Sequence, residues 1–438
     1  MSLSLIVIIF VIAGVGVVVL PAMPASVVLG AILLIRSFSD VGASTGGSLV
    51  PSSAVSGALG VLAIAAVFMP SGPRPSTRAT VVSCAGMFFV ALWTLVGIAR
   101  YQASAGMLAE SLRLVSLIAV ALLAARVAKV SGPRALRVLV IASSPSAVVL
   151  CLGYFARIPV TVSLSGRAVG TFSHANAAAA FLAALALLLL SLYLRDRRRG
   201  TLVLTALSIV ALLLTESLGG IAAFAAGAAV LVILSTSMST ARKVLLTLMA
   251  VAAATVAFSV SGASQRVSEF QAFNAETAIS TGVSDDSLGW RLINWSILLQ
   301  RWAEHPLMGF GLGSTQTFVM PLGAPPHSAF VQVLVETGLV GAAIIGVSLI
   351  AYLRGVRASL ARGSWNALTA IAFLAMLVVN GSESNLLGYT ATMYLVVALL
   401  AILAVTDDPP GKTLATMRPE AASAVLPVRA RTVVPGVR

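Results

Sequence analysis

The run AAAAFLAALALLLLSLYL, residues 177–194, decides the fold class because it contains no charged side chain. A helix needs about 20 mostly apolar residues to cross a membrane. The whole chain has the same character: of its 438 residues 59% are hydrophobic and 10% are charged, and its mean hydropathy is +1.03. Soluble domains carry roughly 25% charged residues. Because this chain cannot cover a globular surface with polar groups, the sequence predicts an all-α, polytopic transmembrane helical bundle.

Apolar runs of the same kind recur along the chain with short gaps between them. The candidate spans are residues 3–20, 24–36, 52–69, 79–98, 107–128, 135–156, 177–194, 202–217, 219–235, 243–260, 328–352, 365–380 and 386–405. We predict about 12 or 13 spans, which form a single integral membrane domain over residues 1–405. Thirteen spans would put Met1 outside the cytoplasm and twelve would put it inside.

Most of the 28 Lys and Arg residues fall in one set of alternate loops and in the tail. The positive-inside rule places this set, and the C-terminus, in the cytoplasm. The opposite, extracytoplasmic side then holds the longest loop, residues 261–326, and loops of that length are usually functional. Apolar residues recur at helical spacing over 288–302, which predicts an amphipathic helix at the outer interface. The tail, residues 406–438, is predicted to be a disordered, basic cytoplasmic end.

The net charge of +14 does not indicate nucleic-acid binding, because the basic residues lie in short groups between apolar runs. Cys84 and Cys151 both fall within apolar runs, so the sequence predicts neither a disulfide framework nor a zinc site. The chain also lacks a carboxylate cluster or an Asp-x-Asp sequence. We therefore expect no metal ion and no cofactor.

His327 is the first candidate for chemistry, since it follows Pro325-Pro326 where the long loop re-enters the membrane. A neutral imidazole can accept a proton from a sugar hydroxyl. The alternative is a helix-capping or interfacial histidine with no chemical role. Arg291, on the predicted loop helix, carries a planar guanidinium that suits phosphate oxygens. Its alternative is contact with lipid headgroups.

Arg113 lies inside an apolar run, where a charge costs about 2.5–3.5 kcal/mol on insertion scales. It should therefore face the bundle interior or a wet cavity, as a ligand-binding residue or as the partner of Glu110, three residues earlier. Glu216 lies at the outer end of another span and could bind a sugar or line a polar turn. Gly309, Gly311 and Gly313 follow no strand, so we interpret them as a turn that lets the backbone approach another group closely.

The segment RAVGTFSHAN, residues 167–176, leads into the run quoted first. It places His174 and Asn176 at a helix N-terminus that faces outward. Asn176 could cap that helix, and exposed backbone N–H groups there would attract an anion. Arg167 is a further guanidinium on the same side.

Three motifs together resemble the O-antigen ligase and polysaccharide-polymerase family of membrane glycosyltransferases. One is His327-Ser328 followed by Gly338 and Gly341, with Glu336 before the first glycine. The second is Arg291 to Gly311, which resembles the block that ends the family's large extracytoplasmic loop. The third is the segment 167–176. Leu218 departs from the pattern, since the family has an arginine after the serine at this point.

The resemblance implies a metal-independent, inverting transfer in a bacterial plasma (inner) membrane, from a polyprenyl-pyrophosphate-linked glycan to a glycan, lipid or protein acceptor. His327 would be the general base. Arg291, Arg167 and Arg113 would hold the pyrophosphate, and His174, Asn176, Glu216 and Glu336 would contact the substrates. We expect His327 and at least one guanidinium to converge beside an apolar cavity. A transporter or flippase of lipid-linked glycans is the alternative, although the sequence shows no clear internal repeat.

Overall fold

The computed structural model describes residues 23–41, 52–69, 75–235, 239–241, 243 and 287–406. These residues form α-helices joined by short turns and 3₁₀ segments, and no strand occurs among them. The helices are α1 (Ala25–Phe38), α2 (Ser52–Phe68), α3 (Thr77–Tyr101), α4 (Ala105–Ser131), α5 (Ala135–Phe155), α6 (Ala175–Asp196), α7 (Arg199–Leu214), α8 (Leu218–Leu234), α9 (Ser287–Trp302), α10 (Ala329–Ala361), α11 (Trp365–Glu383) and α12 (Thr390–Val405). The all-α prediction is confirmed.

Eleven of the predicted spans coincide with these helices. Ten of them agree with the helix bounds to within a few residues, whereas α10 runs nine residues past its predicted span. Five helical stretches are long and apolar enough to cross a membrane: Thr77–Tyr101, Ala105–Phe155, Ala175–Asp196, Ala329–Ala361 and Trp365–Glu383. The predicted loop helix is present as α9. The predicted span 3–20, nearly all of 243–260, the start of the long loop and the tail after residue 406 lie outside the described residues.

Helix α6, which contains the run 177–194, is the centre of the bundle. Its most apolar window is 83% buried, whereas the corresponding windows of Thr77–Tyr101 and Ala329–Ala361 are only 22% and 28% buried. Alanines on α6 let neighbouring backbones approach closely, as small residues do between membrane helices. A Cβ added to Gly220 of α8, for example, would lie 2.6 Å from the Cβ of Ala179. Most side chains of α3 and α10 therefore lie on the outside of the bundle.

Contacts between helix ends show that the bundle has two distinct ends. The start of α11 lies by the end of α6, because Trp365 Nε1 donates to Ser191 Oγ at 3.1 Å. At the other end, His174 at the start of α6 contacts Tyr389 at the start of α12, with ring centroids 5.3 Å apart. We call this the histidine end, since His327 precedes α10 on the same side. The basic turn 195–199 lies at the opposite end.

One basic residue, Arg126, is buried inside the bundle. It lies within α4 and is only 1% exposed. Its guanidinium donates to the carbonyl oxygens of Ala66, Val67 and Met69 (2.9 Å for Val67 and 2.8 Å for Met69) at the end of α2. The last carbonyls of a helix have no partner within the helix, so a buried arginine can satisfy them.

Candidate functional site

Helix α9 positions the residues that precede His327. Trp295 Nε1 donates to the Pro326 carbonyl at 2.5 Å, and Asn294 Nδ2 reaches the Pro325 carbonyl at 3.4 Å. The Trp290 ring meets the His327 ring edge to face, with centroids 5.5 Å apart. Proline has no backbone N–H and a fixed φ, so a chain held through two proline carbonyls presents the next residue in a defined direction.

His327 has a backbone φ of +51°, which is uncommon for a residue other than glycine. The next residue, Ser328, caps α10 by accepting from Val331 N at 3.4 Å. Because Ser328 performs the capping, the imidazole is not needed for it. His327 Nδ1 is buried and has no hydrogen-bond partner in the described part of the chain. The helix-capping alternative for His327 is therefore wrong.

Arg291 lies beside His327 and pairs with Glu383, at the end of α11. The distance from Arg291 Nη1 to Glu383 Oε2 is 3.8 Å, and the two side chains are 19% and 26% exposed. Burial, then the nearby Arg291 charge, then His174 lower the pKa of His327 from 6.5 to about 4. Each of these disfavours the imidazolium, so the imidazole is neutral at pH 7 and able to accept a proton.

The glycine turn predicted around Gly309 packs against a break in α10. Gly338 has φ +63° and ψ −169°, so the helical hydrogen bonds across it are lost. Phe310 N and Gly311 N donate instead to the carbonyls of Val335 and Glu336, at 2.9 and 2.8 Å. In return, Leu339 N and Val340 N donate to Pro306 and Leu307.

These four hydrogen bonds require the loop and helix backbones to lie in direct contact. A Cβ at Gly309 would lie 2.5 Å from the Val335 carbonyl oxygen and 2.6 Å from Gly338 N. Gly309 and Gly338 both have positive φ, which a side chain would also disfavour. The interpretation of these glycines as a site of close backbone approach is confirmed.

The segment 167–176 folds back on the start of α6. Arg167 donates through Nη2 to Asn176 Oδ1 at 3.0 Å and through Nε to the Thr215 carbonyl at 2.8 Å. The helix cap is His174, whose Nδ1 accepts from Ala177 N at 3.3 Å. The prediction that Asn176 could be the cap is therefore wrong, because its amide oxygen is bonded to Arg167. Burial and the Arg167 charge lower the pKa of His174.

The remaining predicted residues are spread around this end of the bundle. Arg113 pairs with Glu110, as one alternative had it. Glu336 is 2% exposed and accepts from Thr315 and from Gln332 Nε2, so it joins α10 to the turn before it. Glu216 lies on the turn between α7 and α8, where the neighbouring Gly219 abuts the Glu383 carboxylate.

A cavity of about 170 Å³ opens at the histidine end, between the starts of α6 and α12 and the end of α1. Its polar lining comprises Asp40, Arg113, Ser173, His174, Gln316, Asn385, Tyr389, Thr390 and Thr392. Neither His327 nor Arg291 lines this cavity, so the expectation of an apolar cavity beside them stays a prediction. The Trp290 ring contacts the His327 ring, and the charge of the adjacent Arg291 lowers the pKa of His327, so a guanidinium lies near this histidine.

Sequence reasoning missed Glu383, Asn385, Tyr389 and Asp40. A signal for the first two exists in GSESN, residues 381–385, a polar run between two apolar spans. Asp40 has no such signal, because it follows a short span and only the fold brings it to α6. In the part of the chain that the structure describes, no three His, Cys, Asp or Glu side chains are grouped so that they could hold a metal ion.

Comparison with known families gives one match. The family model described as O-antigen ligase matches residues 203–346, about a third of the chain. The match includes Arg291, His327 and the glycine turn, and it excludes the segment 167–176 and every residue after 346, Glu383 among them. No curated protein matches the chain. Over residues 203–346 the chain is therefore similar to O-antigen ligase.

Proposed function

We propose that this protein is a glycosyltransferase of the bacterial plasma membrane. It transfers a glycan from a polyprenyl-pyrophosphate donor to an acceptor hydroxyl on the extracytoplasmic face, with inversion and without a metal ion. The observation that supports this most is the unpartnered Nδ1 of His327 beside Arg291, within the stretch that matches O-antigen ligase. The orientation rests on the basic residues at the opposite end of the bundle.

In the proposed reaction His327 accepts the proton of the acceptor hydroxyl. The acceptor oxygen forms a bond to the anomeric carbon as the bond from that carbon to the pyrophosphate oxygen breaks. The polyprenyl pyrophosphate leaves with the bonding electrons, and its negative charge develops beside Arg291. Fixed positive charge at the place where negative charge develops is the largest contribution that a site of this kind makes to rate.

Arg291 is the guanidinium best placed for the leaving group. Its 3.8 Å separation from Glu383 is longer than a hydrogen bond, so the carboxylate orients the guanidinium without occupying its donors. Arg167 is hydrogen-bonded to Asn176 and to a backbone carbonyl, and Arg113 is paired with Glu110. We assign Arg167 a positioning role and Arg291 direct contact with the pyrophosphate.

The low pKa of His327 has a consequence for the order of events. A base with a pKa near 4 is weak at pH 7, because efficient proton transfer needs a pKa close to the working pH. A bound pyrophosphate would offset the Arg291 charge and favour the imidazolium. Binding of the donor therefore raises the basicity of His327 just when the acceptor hydroxyl must lose its proton.

The test uses the full chain in proteoliposomes with a synthetic polyprenyl-pyrophosphate oligosaccharide as both donor and acceptor. We expect release of polyprenyl pyrophosphate together with a lengthened glycan, and loss of both in His327→Ala. His305→Ala is the matched control, since His305 packs on Phe310 away from Arg291 and should retain most of the activity. Movement of intact donor across the bilayer without release would overturn the proposal in favour of a flippase.

A further inference from the structure

The cavity at the histidine end contains buried polar atoms that lack partners. Asn385 Oδ1 and Thr392 Oγ1 belong to side chains that are 8% and 1% exposed, and neither atom has a hydrogen-bond partner in the described residues. Gln316 Nε2 and Arg113 Nε lie in the same lining and are also without one. An unsatisfied buried polar group destabilises a fold, and several around one cavity indicate a ligand that supplies the missing partners.

The charges around the cavity are balanced, which argues against an anion. Arg113 is paired with Glu110, and Asp40 is paired with Arg36 at 2.9 Å. His174 adds no positive charge at neutral pH, since its pKa is lowered. A pyrophosphate here would face the Asp40 carboxylate with no unpaired cation among the described lining residues. The cavity therefore suits an uncharged ligand.

Hydrogen-bonding capacity and size narrow the class of ligand. The unpartnered set includes donors on Gln316 and Arg113, an acceptor on Asn385 and a hydroxyl on Thr392 that can do both. Sugar hydroxyls also donate and accept, and the rings of Phe172 and Tyr389 add two aromatic faces to the mainly polar lining. A volume of about 170 Å³ equals that of about six water molecules in the liquid, which is enough for one sugar ring.

We propose that this cavity binds one uncharged sugar ring of a glycan substrate and so acts as the site that selects the sugar. The inference rests on the proposed transferase function and extends it. His174 lines the cavity and also lies near His327, so a ring held here would lie close to the base. Of the residues that line the cavity, all except Gln316 lie outside the stretch that matches O-antigen ligase. Specificity and chemistry thus come from different parts of the chain.

The test measures binding of methyl glycosides to the full chain in nanodiscs by saturation-transfer-difference NMR. The probes are methyl glycosides of neutral hexoses, a methyl glucuronide and inorganic pyrophosphate. We expect at least one neutral glycoside to bind, without displacement by pyrophosphate. Thr392→Val and Asn385→Leu should each weaken that binding about two- to tenfold, the loss of one neutral hydrogen bond.

Thr80→Val is the matched control, because Thr80 is an exposed residue on the outer surface of α3. Thermal unfolding of each variant shows whether it is folded, and Gln316→Leu provides a further site if one variant is not. Absence of binding by any neutral glycoside, or binding that these variants leave unchanged, would overturn the inference. So would a site that takes only pyrophosphate or the glucuronide.

A second arm identifies the source of the ring. A polyprenyl-pyrophosphate monosaccharide will displace the methyl glycoside if the cavity holds the donor sugar, and both will bind together if it holds the acceptor sugar. His327→Ala should keep glycoside binding while it loses release of polyprenyl pyrophosphate. Release without glycoside binding would refute this inference alone, whereas glycoside binding with no release in the unmodified protein would refute the transferase proposal.

Discussion

Helices α6 and α10 are each closely preceded by a histidine, but the two histidines make different contacts. His174 is the N-cap of α6, and its Nδ1 accepts from Ala177 N. His327 stands one residue before the cap of α10, because Ser328 accepts the helix amide. The Nδ1 of His327 is consequently left without a partner in the described structure. One residue of register therefore separates an imidazole that caps a helix from one whose Nδ1 takes no part in the cap.

Alanine at each histidine is the strongest way to break this comparison. In His327→Ala we expect transfer to fall by a factor on the order of 10²–10⁴, the usual contribution of a general base, with an unchanged melting temperature. His174→Ala should lose less activity and should lower the melting temperature. The measurements are the reconstituted transfer assay and thermal unfolding in the same detergent. Equal loss of activity without loss of stability in both variants would contradict the assigned difference.

Arg291→Lys tests the guanidinium that lies beside His327. An ammonium cannot reproduce the planar fork, so we expect activity to fall about ten- to a hundredfold, the loss of one or two charge-assisted hydrogen bonds. The matched control is Arg301→Lys, on the same helix but 61% exposed. Its activity should not change. If Arg291→Lys were fully active, Arg291 would not be a ligand of the pyrophosphate.

The pH dependence of the rate sharpens the role of His327. Burial and Arg291 disfavour its imidazolium, so the pKa lies near 4 and the neutral base persists as the pH falls below 6.5. The profile of kcat/KM, which reports the free enzyme, should therefore be flat down to about pH 5 and fall near pH 4. The profile of kcat should break at a higher pH, because the bound pyrophosphate raises the pKa. A kcat/KM profile that breaks near 6.5 would show that this environment is wrong.

Restoring the cap at His174 is the smallest test. His174→Ala removes the acceptor for Ala177 N, and lost caps cost about 0.5–2 kcal/mol of stability. His174→Asn should recover most of that loss, because asparagine is among the best N-caps. Thermal unfolding of the three proteins measures the difference. If His174→Asn were as unstable as His174→Ala, the T-shaped contact with Tyr389 rather than the cap would be what stabilises this end.

The bundle was predictable from the sequence because lipid leaves few alternatives to apolar helices. Hydrophobic runs alone located eleven helices, and helical spacing located α9. The family resemblance predicted that His327 and Arg291 belong to one site. It did not predict that Glu383 pairs with Arg291. Residues 291 and 383 are joined only by the packing of α9, α10 and α11, which no local pattern encodes. For the same reason, the cavity residues Asp40, Asn385 and Thr392 could not be grouped beforehand.

Register explains the errors at the two helix starts. Asparagine is a better cap than histidine by general preference, yet Asn176 is drawn away by Arg167. A side-chain contact from outside the helix thus overrides a local propensity. At the start of α10 the cap is a residue of a preferred type, but it is Ser328 and not the adjacent His327. Predictions of a cap are therefore reliable for the position of a helix start and less so for the residue that caps it.

The break at Gly338 limits how substrates can enter. If the loop at residues 306–311 moved outward, the backbone amides and carbonyls on both sides of Gly338 would lose their hydrogen bonds to it. Lipid offers them no replacement partners. We therefore expect the loop at residues 306–311 to stay in contact with α10 throughout turnover. The polyprenyl chain of the proposed donor would then enter sideways from the bilayer through another gap between helices, which makes the access route a property of the flanks rather than of a lid.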